Sequence, residues 1–88
     1  MKVENMKTSN GNAVVNQFII RDDEGNVFFQ SYDSIIAKID KFSNVTLDER
    51  YWDYSSTTGK YRNMFLGEGI NEARKNIKEG IYKLADLN

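Results

Sequence analysis

The 88-residue sequence predicts an α+β fold: an antiparallel sheet of four to five strands packed against two short helices, in the order β-β-β-β-α-α-β. Three observations carry this. The first half holds short runs of β-branched and aromatic residues separated by Asp-, Asn- and Gly-rich breaks. The second half switches to a spacing of three and four. No proline interrupts either half, and glycines punctuate the element ends.

Residues 1–12 are polar and close on Ser9-Asn10-Gly11-Asn12, so they read as a flexible lead-in to a single domain over 13–88. Ala13–Arg21 contains Val14, Val15, Phe18, Ile19 and Ile20, side chains that suit a pleated surface. Asp22-Asp23-Glu24-Gly25-Asn26 then marks a hairpin turn in which Gly25 supplies positive φ, and Val27–Ser31 is the return strand. Ile35–Asp40 is too short for its period to separate strand from helix, although its β-branched content favours a strand. Lys41-Phe42-Ser43-Asn44 breaks the chain before Val45-Thr46-Leu47, giving a second hairpin.

Hydroxyl side chains between Tyr51 and Thr58 can accept bonds from the free N–H groups of a starting helix. Tyr54, Thr58, Tyr61 and Phe65 form one stripe that ends at Gly67, which turns Lys60, Arg62 and Asn63 to the other side. A second helix fits Asn71–Glu79, with Asn71 as its cap, Glu72 in its first turn, Lys75 and Lys78 near its end and Gly80 after it. Ile81–Leu84 is the last strand, with Tyr82 and Leu84 on one face.

The inventory removes whole classes of chemistry. There is no cysteine and no histidine, so disulfides, thiolate or imidazole metal sites and Ser-His-Asp triads are excluded. Gly59-Lys60 is followed by Tyr61 rather than Ser or Thr, and Tyr54 stands where a phosphate loop needs glycine. Asp22-Asp23-Glu24 lacks the alternating ligand spacing of a calcium loop. The expectation is a chain with no enzymatic activity and no cofactor. No apolar run approaches the ~20 residues of a membrane helix and the start of the chain lacks a signal-peptide pattern, so a cytoplasmic location is expected.

The net charge of −1 hides a division. Asp22–Asp53 carries eight acids against three bases, and Tyr54–Lys83 six bases against three acids. A basic face beside aromatic residues is a candidate contact surface, made of Tyr51, Tyr54, Lys60, Arg62, Asn63, Arg74 and Lys75. Trp52 is expected in the core. A pI of about 5.3 is far from the strongly basic footprint of a general nucleic-acid binder, which favours a protein partner.

Asn16-Gln17-Phe18-Ile19-Ile20, Phe29–Ala37, Trp52-Asp53-Tyr54-Ser55 through Thr58, Lys60-Tyr61-Arg62-Asn63 and Phe65-Leu66-Gly67-Glu68 together resemble a small family of proteins carried by phages, plasmids and other mobile elements. It is known only as a domain of unknown function, and the likeness runs from about Asn16 to the C-terminus. The resemblance implies a role in phage–host conflict, including anti-CRISPR inhibition of a Cas nuclease, with Cas9 foremost. A host protein, a Cas nuclease or its guide-RNA complex, is then the expected partner of a monomer or homodimer, and direct nucleic-acid binding by the basic helical face is the alternative. The family supplies no catalytic residue to carry over.

Overall fold

A computed structural model describes residues 1–88. Six strands, β1 (Lys2–Lys7), β2 (Ala13–Arg21), β3 (Val27–Ser31), β4 (Ser34–Ile39), β5 (Val45–Asp48) and β6 (Lys83–Ala85), form one sheet in that order. Two helices, α1 (Ser56–Leu66) and α2 (Ile70–Lys78), lie between β5 and β6. The α+β class and the β2 and β3 boundaries agree with the sequence reading, and Ile35–Ile39 is strand.

The lead-in expected over residues 1–12 is corrected by β1. Lys2 to Asn5 pair with Arg21 to Phe18 of β2, and alternation along β1 puts Met6 on the same face as Glu4, which pairs with Ile19, and so into the core. A long hairpin with β2 thus orders a segment too polar to announce itself as a strand. The purely antiparallel sheet is corrected as well. β1 through β5 form an antiparallel meander, but β6 pairs parallel to β5, with Leu47 opposite Leu84. A parallel neighbour requires a crossover connection, and the two helices are that connection.

The hairpin turns β2–β3 and β4–β5 are built alike. Asp22 Oδ1 accepts the backbone N–H groups of Glu24 and Asn26, and its Oδ2 accepts the Asn26 amide. Asp40 does the same with Phe42 and Asn44. Gly25 sits at φ 88°, and a Cβ there would lie 2.9 Å from Lys41 Cβ, so the two turns touch at the one position where only glycine fits.

The core lies between the sheet and the helices. Met6, Phe29, Ile36, Ala37 and Leu47 are buried together, and Trp52, Tyr61, Phe65, Leu66 and Ile77 pack on them. Ile36 and Ala37 are both buried because a bulge between Phe29 and Gln30 places one extra residue in β4. No helix is long and apolar enough to cross a membrane.

Candidate functional site

The Ser55 hydroxyl accepts the Thr58 N–H at 3.1 Å and so fixes where α1 begins. Thr58, Tyr61 and Phe65 then face the sheet: Thr58 meets Ser31 across a buried 3.0 Å hydroxyl pair, and the Phe65 ring lies 5.9 Å from Phe29. Tyr54 precedes the helix rather than joining this stripe, and it is 48% exposed. Gly67, at φ 71°, ends α1 by donating to the Asn63 carbonyl at 2.8 Å. α2 starts at Ile70 after Gly69, so Asn71 lies inside the helix and caps nothing.

Arg62 is the main correction to the expected surface. Expected on the solvent side, it is only 1% exposed and is the largest fully buried side chain. Its Nη1 donates to the Trp52 carbonyl at 2.7 Å and to Asp53 Oδ1 at 3.1 Å, and its Nη2 donates to Asn63 Oδ1 at 2.9 Å. The guanidinium lies 5.3 Å from the centre of the Trp52 ring. Arg62 follows the sheet-facing Thr58 by four residues, which puts both on one side of α1, and the loop Tyr51–Tyr54 closes over its guanidinium. Position 59 borders the guanidinium: a Cβ there would lie 3.5 Å from its nearest atom, at ordinary contact distance.

Around this pin the other candidates divide. Tyr51 packs on the core and meets the Tyr54 ring edge-on at 5.5 Å. Tyr54, Lys60 and Asn63 line an open groove of about 490 Å³ with Ser55, Ser56 and Ile70. Lys60 is exposed there, with its ammonium 5.4 Å from the Tyr61 ring. Arg74 reaches the groove's edge through Asp53, at 3.6 Å from Oδ2, so Asp53 is shared between a buried and an exposed guanidinium. Lys75 is exposed on α2 and forms no ion pair.

Two carboxylates that the sequence did not single out hold the frame of this groove. Asp48 ends β5 fully buried. Burial alone would raise its pKa, but N–H donors from Leu87, Tyr51, Arg50 and the Asn88 amide outweigh that and hold it below the usual carboxylate range. It thereby fastens the loop that leads to the groove and the chain after β6. Glu68, between the helices, accepts from the Tyr82 hydroxyl and from Asn76. Burial, with the Glu68 carboxylate beside it, pushes the Tyr82 phenol up to about 12. No group of three or more acidic side chains gathers to hold a metal ion, and the Asp22 carboxylate is occupied by its own turn.

No curated protein and no solved structure matches the chain. A family model described as a family of unknown function (DUF8033) matches residues 1–83, which takes in β1 and all of the groove. On that match the chain belongs to this family of unknown function.

Proposed function

We propose that this chain is a non-enzymatic binding module that acts by covering a partner protein, with the groove at the start of α1 as its contact surface. The single observation behind this reading is the pairing of an exposed contact set with a rigid support. Tyr54, Lys60 and Asn63 stand around an open groove, and the loop that bears Tyr54 is pinned from beneath by Arg62. A pre-ordered aromatic and cationic surface loses little entropy when it docks. The partner we propose is a host defence nuclease, Cas9 foremost, and the module is that of a phage or mobile element. This rests on the resemblance drawn from the sequence.

Charge reversal at Lys60 and Arg74 together with Tyr54→Ala, Arg62 being kept, tests the surface. Pull-down from host lysate and inhibition assays on purified nucleases should both fail for this variant, with its thermal midpoint unchanged. Undiminished inhibition would remove the groove from the reading. The alternative, a nucleic-acid accessory protein using Lys60, Arg74 and Lys75, predicts a steep loss of affinity with salt. A protein interface need not show that slope.

A further inference from the structure

The side of the sheet away from the helices carries a second apolar surface. A strand with one wet face alternates, whereas strands covered on both faces read as continuous apolar runs. Phe18-Ile19-Ile20, Val27-Phe28-Phe29 and Ile35-Ile36-Ala37 are all of the second kind. Of these, Ile19, Phe29, Ile36 and Ala37 join the helix-covered core. Phe18, Ile20, Phe28 and Ile35 do not; successive side chains on a strand point to opposite faces, so these four lie on the other side. Val3, 57% exposed, extends them to the edge: Val3 pairs with Ile20 and Ile20 with Phe28 in one row across the sheet. That row continues through Lys38, whose ammonium is 5.9 Å from the Phe28 ring, to Thr46 and Lys83.

The geometry points to a second copy of this chain as the occupant of this face, in a two-fold dimer packed sheet against sheet. Three features favour it. The four strands that bear these apolar residues, β1 to β4, ~4.8 Å apart and at least ~17 Å long, present roughly 330 Å² in projection, and more along the corrugated side chains. That supplies the apolar centre of an interface to which each partner gives ~800 Å² of accessible surface, with Lys38, Thr46 and Lys83 on its polar rim. A net charge of −1 sets up little repulsion between copies. The hairpin ends that border the face bring Asp23, Glu24 and Asp40 together with Lys38 and Lys41, so each copy offers the other both signs of charge at that rim. An apolar centre that matches itself satisfies two-fold symmetry directly.

Sedimentation equilibrium of the full chain tests this up to about 1 mM, the concentration at which even weak association registers. The expected mass is twice the 10.2 kDa of one chain. Phe28→Lys and Val3→Glu should each return the monomer mass at concentrations where the parent is dimeric. Val3 is exposed on an edge strand, so its variant stays informative if Phe28→Lys does not fold. A 10.2 kDa species at every concentration would overturn the inference, as would a dimer that both variants leave intact. Oligothymidine binding by a monomeric chain, lost in the same variants, would overturn it in favour of a single-stranded nucleic acid. The groove variant of Lys60, Arg74 and Tyr54 should dimerise like the parent, so the two surfaces stand or fall separately.

Discussion

Replacing Arg62 by alanine removes a support and leaves the contact surface chemically intact. Three donated bonds disappear, to the Trp52 carbonyl, Asp53 and Asn63, together with the stacking on Trp52. A bond from a charged donor to a buried carbonyl contributes ~1.5–3 kcal/mol. The Asp53 pair adds less, ~0.5–1 kcal/mol, because Asp53 stays partly in water and keeps Arg74 as a partner. The cation–ring contact adds ~0.5–1 kcal/mol. Together these give a loss of ~2.5–5 kcal/mol from a domain whose total stability is of order 5–15 kcal/mol. Urea unfolding followed by the single tryptophan, Trp52, and by far-ultraviolet circular dichroism measures it. With a slope of ~1 kcal/mol per molar urea, the midpoint should fall by about 2.5–5 M. Arg62→Lys, which keeps the charge and loses the fork, should fall between the two. Lys60→Glu should move the midpoint by less than ~0.5 kcal/mol equivalent. An Arg62→Ala protein as stable as the parent would refute the assignment of this side chain as a pin.

Gly25→Ala should cost ~1–2 kcal/mol, through positive φ and through contact with Lys41 Cβ, and a lowered thermal midpoint checks it. Asp48 has its pKa depressed in the folded state, so its contribution is complete above the unfolded carboxylate value and is lost as pH falls through the folded one. Asp48→Asn should therefore weaken the fold at pH 7 and flatten the decline in stability below about pH 4, read from urea midpoints across pH. Gln17 is 1% exposed with neither amide atom partnered, so Gln17→Leu should be neutral or stabilising by up to ~2 kcal/mol; a marked drop in midpoint would show that the amide has a bonding role.

Elements whose residues speak for themselves were readable: β2 and β3 from their apolar runs, the turn at Gly25, and the end of α1 at Gly67. β1 was not, because Lys2-Val3-Glu4-Asn5-Met6-Lys7 gains its order from the partner strand rather than from its own propensity. The parallel seating of β6 was equally hidden, since three residues reveal nothing of direction. Within the site, Lys60 is exposed as expected, while Tyr54 lies outside the inward stripe in which it was expected and Arg62 is buried. Arg62 follows Thr58 by four residues, so helical spacing puts both on one side of α1, and a charged side chain belongs there only because the Trp52 carbonyl and Asp53, which the spacing does not describe, take up its guanidinium. Asp48 gave no signal at all, because its partners Leu87 and Asn88 lie at the far end of the chain.

The parallel pairing of β5 with β6 also orders events in time. Five strands can zip successively as hairpins of near neighbours, whereas β6 must wait until residues 49–82 have travelled across the molecule. The anchoring of the last residues on Asp48 belongs to that late closure, whereas the roof over Arg62 is built from residues 52–63 alone. A chain caught before that closure would hold the five-stranded meander with the Asp48 carboxylate short of its donors from Leu87 and Asn88, so the slowest pairing is also the one that completes the bonding of a fully buried acid.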